Sequence, residues 1–137
     1  MISSRDVKDL LPEVAHKAAF FIAKCKEAGI DVLVTSTHRD NEAQNALYAQ
    51  GRTTPGKIIT NARGGESFHN YRCALDFVPM LCGKCCWDDA AKFRQCGLIA
   101  ESLGFEWAGR WQGKLREMAH IQFTNGKSLH DLQKEVK

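Results

Sequence analysis

A chain of 137 residues with 44% hydrophobic and 26% charged side chains has the size and composition of one ordinary globular domain, not of a disordered or low-complexity protein. Nineteen basic against sixteen acidic side chains leave a formal charge of +3, too mild to demand a nucleic-acid partner, although it favours encounter with an anionic polymer surface. There is no apolar run of about 18 residues to insert in a membrane, and Met1-Ile-Ser-Ser-Arg-Asp6 lacks a signal-peptide pattern, so a cytoplasmic, monomeric product is expected.

The first helix is predicted from Pro12 to Ala28. Val14, Ala15, Ala18, Ala19, Phe21, Ile22 and Cys25 recur at three and four, and Gly29 supplies the stop. Glu13 lies near the positive end of the helix dipole and Lys24 and Lys26 near the negative end. Ile30 to Thr35 is rich in β-branched residues and reads as a buried strand. It delivers Ser36, Thr37, His38 and Arg39 at its end. Arg39 is either an ordinary surface arginine or, from that strand-end position, a group that holds an anion. Asp40 is placed to cap a helix from Glu42 to Gln50, with Ala43, Ala46 and Leu47 apolar and Gly51 as its stop.

Periodicity vanishes from Arg52 to Glu66, a loop in which Ile58-Ile59 reads as an anchor or a short edge strand. Long loops in small domains are often functional, and this one exits at Ser67 and His69, as one wall of a cleft. Ala74 to Pro79 is the next strand, limited by Pro79. Met80 to Trp87 reads as a hairpin turning at Gly83-Lys84, after which Asp88 caps a helix from Asp89 to Leu103 that ends at Gly104. Phe105 to Ala108 and Ala119 to Phe123 are the last strands. Between them, Gly109 to Gly113 either brings Trp111 across the groove or tucks it back for packing. Ser128 caps a final helix with Leu129, Leu132 and Val136 on one face. No repeat or linker divides residues 1–137, so a single domain without a separate binding module is expected.

Six cysteines divide into two groups. Cys25 and Cys96 lie on apolar helix faces and Cys73 precedes a strand, so buried thiols are expected there. Cys82, Cys85 and Cys86 form C-x-x-C-C, which resembles half of a structural zinc site or a redox pair; reduced loop thiols are the plainer expectation in a cytoplasmic product.

The chemistry concentrates in Ser67-Phe-His69-Asn-Tyr-Arg72-Cys-Ala-Leu-Asp76 and Glu117-Met-Ala-His120. Two imidazoles and a carboxylate, from His69, Asp76 and His120, make a three-ligand zinc shell that leaves one position for water. An open position is what a hydrolase needs. Any one histidine has a structural explanation, which His16, His38 and His130 are expected to follow, but Glu117, three residues before His120, adds a carboxylate near the metal.

These paired signatures resemble the zinc D-alanyl-D-alanine carboxypeptidase and L-alanyl-D-glutamate endopeptidase family, peptidase family M15, in particular its short single-domain phage endolysins. The likeness runs from about Val14 to Leu132 and takes in Arg39 and Gln44 after the first strand and Trp87-Asp88 before the second long helix. It implies an α+β fold with a small, mainly antiparallel sheet and packed helices, one catalytic Zn2+ on His69, Asp76 and His120, Glu117 as the catalytic carboxylate and Arg39 at the substrate carbonyl. Ser67, Gln44 and Trp111 are expected around the metal or the substrate. The implied substrate is bacterial peptidoglycan, reached from the host cytoplasm through a phage membrane pore. The close alternative is a carboxypeptidase acting on the D-alanyl-D-alanine terminus; a nonenzymatic zinc-dependent wall-binding module would leave Glu117 and Arg39 superfluous. The family pattern has glycine where this chain has Arg72. If that position needs positive φ, Arg72 is strained or the loop differs.

Overall fold

The N-terminal amphipathic segment forms helix α1, Pro12–Glu27, with Pro12 in the first turn, where its missing donor costs nothing. Val14, Ala18, Phe21 and Cys25 are its buried stripe, and Gly29, at φ 86°, turns the chain out of the helix. In this computed structural model, residues 1–113 and 116–135 are described.

Strand β1, Asp31–Ser36, runs antiparallel to β2, Ala74–Leu81, with Asp31 opposite Met80 and Val34 opposite Phe77. The sequence suggests a buried strand, but β1 is the edge of the sheet and its burial alternates, with Leu33 39% exposed. One face is covered by α1, so its β-branched residues serve a half-buried surface. A register shift between Val34 and Ser36 places Ser36 opposite Asp76, and such bulges re-aim side chains beside active sites.

The centre of the sheet is β2, where Ala74, Leu75, Phe77 and Val78 are fully buried. Pro79 does not end it. The Phe77 N–H donates to the Ala119 carbonyl at 2.9 Å, while the Pro79 carbonyl, two residues on and facing the same flank, accepts from Cys86 N–H at 2.8 Å. The missing proline donor therefore falls between two neighbouring strands, where no ladder bond is lost. The following hairpin to β3, Lys84–Cys85, turns at Cys82-Gly83, one residue earlier than expected. Both turn residues have positive φ, 50° and 77°, which suits the right-handed twist of a tight hairpin.

Helix α2, Asn41–Ala49, is capped by Asp40, whose Oδ1 accepts from Ala43 N–H at 2.8 Å. Helix α3, Ala90–Ser102, takes Asp89 as its cap in place of the expected Asp88. Strands β4, Glu106–Trp107, and β5, His120–Gln122, complete an antiparallel sheet in the order β1-β2-β5-β4, with β3 also beside β2. Helix α4, Leu129–Glu135, begins at a reciprocal pair between Ser128 and Asp131 and buries Leu132. The expected third residue of its face, Val136, lies outside the described residues.

The core lies between the sheet and helices α1 and α3. Phe21 and Phe77 meet edge to face at 5.2 Å between ring centres, and Phe93 and Phe105 extend the cluster. Burial of one such ring contributes about 1.5–3 kcal/mol. Cys25, Cys73 and Cys96 are buried as expected, Cys82 and Cys85 are exposed, and all six thiols are free. Residues 52–66 are a loop, and Ile58 and Ile59 form neither an anchor nor a strand: they are 59% and 52% exposed.

Candidate active site

Strand register brings the first two ligands together. Asp76 on β2 is the direct partner of His120 on β5, and paired residues project from the same face of a sheet. His120 Nδ1 lies 3.0 Å from Asp76 Oδ1. His69 arrives differently, on a 3-10 turn spanning Phe68–Tyr71. Ser67 Oγ accepts from the backbone N–H of His69 at 3.2 Å, while Asn70 Oδ1 accepts from Ser67 N–H at 3.1 Å. Ser67 thus holds the backbone of His69. Arg72 closes the turn at φ 62°, ψ 28°. The glycine-like conformation is retained, and a side chain there carries about 1–2 kcal/mol of strain. Its carbonyl is held by Leu11 N–H at 3.1 Å.

The ligand atoms of His69, Asp76 and His120 all lie within 4.8 Å of one another. His69 Nδ1 donates to the Thr37 carbonyl at 2.7 Å, which turns Nε2 toward Asp76 Oδ1 at 3.2 Å. His120 Nε2 donates to Gln122 Oε1 at 2.9 Å, leaving Nδ1 for the centre. The chain of contacts continues outward, with Gln122 Nε2 donating to Glu106 Oε2 at 3.2 Å and Thr124 Oγ1 to Glu106 Oε1 at 3.4 Å. Such outer partners fix histidine tautomers and ring orientation at zinc sites. Two nitrogens and one carboxylate oxygen, already convergent, form a donor set that fits zinc with a position left open.

Electrostatics are consistent with a cation-binding centre. Burial alone would push the Asp76 carboxyl up, but His69 and His120 outweigh it by charge and hydrogen bonding and hold it far below the usual carboxylate range. Burial would likewise lower His120, and its contacts with Asp76, then Gln122 and Glu117, push it up instead. Arg39 is lowered by burial, against the opposing pull of the Asp76 and Glu117 carboxylates. Its Nε is buried with no hydrogen-bond partner among the described residues, and the residue lines the cleft. Glu117 is exposed, with Oε2 3.8 Å from His120 Nδ1, and its backbone N–H is tied to the Ala108 carbonyl at 3.1 Å.

These groups line a cleft of about 530 Å³ that also includes Trp111, Ile58 and Ile59. The Trp111 ring stands 5.9 Å from that of His120, in the cleft wall. Gln44 is not part of that wall. It is 1% exposed and its Nε2 donates to the Ala62 carbonyl at 2.9 Å, so it anchors the loop from behind. His38 is structural, with Nδ1 3.3 Å from the His69 carbonyl. Sequence reasoning missed Gln122, Glu106 and Thr37. Gln122 had a signal, because residues two apart on a strand share a face; the other two are set by pairing between distant segments.

A convergent His-Asp-His cluster, two members on paired strands and one on a 3-10 turn, lies beside an exposed carboxylate, the set of groups that a metal-dependent hydrolase uses. The family model described as D-alanyl-D-alanine carboxypeptidase matches residues 60–123. The peptidoglycan L-alanyl-D-glutamate endopeptidase CwlK of Bacillus subtilis is 40% identical over 123 residues, covering 83% of this chain and 73% of the relative. Among solved structures, the L-Ala D-Glu endopeptidase ChiX of Serratia marcescens shares the fold with a TM-score of 0.66 at 17% identity, covering 90% of this chain and 89% of its own. DacB of Streptococcus pneumoniae does so with a TM-score of 0.61 at 21% identity, covering 98% and 77%. The chain belongs to peptidase family M15, the zinc D-alanyl-D-alanine carboxypeptidases and L-alanyl-D-glutamate endopeptidases. It is a zinc metallopeptidase whose metal cluster is His69, Asp76 and His120. No helix among the described residues is long and apolar enough to cross a membrane.

Proposed function

We propose that this peptidase hydrolyses the L-alanyl-D-glutamate bond of peptidoglycan stem peptides, with Glu117 and Arg39 as its catalytic side chains. The observation that carries the choice of bond is the 40% identity with an endopeptidase of that specificity. A zinc ion held by His69, Asp76 and His120 would supply Lewis acidity and bring the pKa of a water toward ~7. Glu117 is the exposed carboxylate of the cleft nearest His120, free to accept the proton of the attacking water and return it to the departing D-glutamate nitrogen. Arg39 lines the cleft and sets its positive charge against the charge that develops on the carbonyl oxygen, a contribution of about 3 kcal/mol when preorganised. Ser67 holds the His69 backbone, and Trp111, Ile58 and Ile59 wall the substrate.

The second reading, a D-alanyl-D-alanine carboxypeptidase, draws on the description of the matched family model and uses the same residues. Digestion of defined muropeptides followed by mass spectrometry separates the two. Endopeptidase action frees an L-alanine carboxyl and a D-glutamate amine, whereas release of D-alanine alone would overturn the endopeptidase reading. A phage endolysin is the narrower form of this proposal, with the enzyme reaching the wall through a membrane pore. It uses the same chemistry.

A further inference from the structure

A second cavity, of about 350 Å³, shares no lining residue with the active-site cleft. Its lining includes the apolar Trp107 and Met118, and three arginines, Arg94, Arg110 and Arg116, border it. No acidic side chain lines it among the described residues. Of the carboxylates close by in sequence, Glu101 pairs with Arg110 and Asp89 caps α3 and binds Lys92 Nζ at 3.1 Å, while Asp88 and Glu117 lie outside the lining. Arg94 and Arg116 form no ion pair among the described residues, and the Arg116 guanidinium rests against the Met118 sulfur at 3.6 Å. Single exposed arginines are ordinary. Three around one concavity with no acidic side chain in its described lining favour an anion there.

A guanidinium presents a planar fork that matches phosphate oxygens in pairs. A phosphodiester carries its charge on two non-bridging oxygens that fit this fork, and it repeats along a polymer, so that neighbouring groups can meet separate arginines. Met118, half-buried beside the Arg116 guanidinium, gives the cavity an apolar side that suits the polyol joining successive phosphates. We propose that this cavity binds the phosphodiester groups of an anionic polyol-phosphate polymer in the cell wall, retaining the peptidase on the matrix that it cuts. The site itself rests on the arginines; its assignment to a wall polymer rests on the peptidoglycan reading above.

Titration of the zinc-loaded protein with poly(glycerol phosphate), followed by amide NMR, tests the site. Shifts are expected at Ala90, Ala91, Gly109 and Met118, which line the cavity. Affinity should fall roughly tenfold in the Arg94→Gln/Arg116→Gln protein, through loss of two phosphate contacts, and partly return with lysine at both positions. Both side chains are exposed, so an unchanged melting temperature is expected alongside. Shifts confined to other regions, or equal affinity in the glutamine protein, would overturn the site. Equal affinity for a single-stranded oligonucleotide of matched charge would overturn the polyol-phosphate assignment. Cleavage of a soluble stem peptide by the same unsubstituted preparation reports separately on the peptidase specificity, so either reading can fail alone.

Discussion

The Trp107 indole donates from Nε1 to the Met118 carbonyl at 2.9 Å, tying a buried residue of β4 to the residue that follows Glu117. The ring lies between two glycines: a Cβ at Gly97 or at Gly109 would come within 2.2 Å of indole carbons. Gly97→Ala and Gly109→Ala should each destabilise by about 1–3 kcal/mol through overpacking, measurable as a lower denaturant midpoint. Because the displaced indole also carries the Met118 contact, turnover should fall further than zinc content. Wild-type stability in both variants would mean that the ring is not clamped.

Glu117→Gln keeps the shape of the side chain and removes its capacity to take a proton. Turnover should drop roughly 10²-fold or more with fold and zinc content preserved. Circular dichroism, metal analysis and kinetics on one preparation check this, and a folded, zinc-loaded variant with near-normal turnover would place the base elsewhere.

Arg39→Lys retains charge but loses the planar donor pair. With Arg39 lining the cleft, the expected effect is a fall in kcat of about 10–100-fold with zinc retained. An effect confined to KM would assign Arg39 to recognition of a substrate carboxylate, and unchanged kcat would rule out the oxyanion role.

Gln122 accepts from the His120 ring at 2.9 Å and so holds its tautomer. Gln122→Leu should weaken zinc binding by about 10–100-fold, as loss of outer-shell partners does elsewhere. Competition with a chelating dye measures it; the same affinity in both proteins would show that the ring is held by Asp76 alone.

The pH dependence should change sign with the metal. In chelator-treated protein the His120 pKa is raised, with burial opposing and the Asp76 contacts prevailing. Its stabilising contribution is complete below the unfolded histidine value of about 6.5 and is lost as pH rises through the higher folded value. Zinc requires the unprotonated nitrogen, so zinc affinity should instead grow across that window. Thermal melts of stripped and loaded protein over roughly pH 5 to 9 compare the two; parallel curves would contradict the assignment.

Local patterns determined much of this protein. The three-and-four spacing of Val14, Ala18, Phe21 and Cys25 specifies α1, and the paired signatures holding His69, Asp76, Glu117 and His120 marked the chemistry. Even the conflict at Arg72 was legible, because glycine's tolerance of positive φ is a property of one residue. Tertiary structure decided the rest. Asp76 faces His120 across 44 residues of sequence because β2 and β5 pair in that register. Pro79 continues a strand because its missing donor falls between two neighbours, and β1 is half exposed because only one of its faces is covered. Gln44 and Gln122 have the same side chain, yet one anchors a loop and the other orients a ligand. A side chain's donors and acceptors are set by its chemistry, whereas the partners that satisfy them are set by which distant segments pack together.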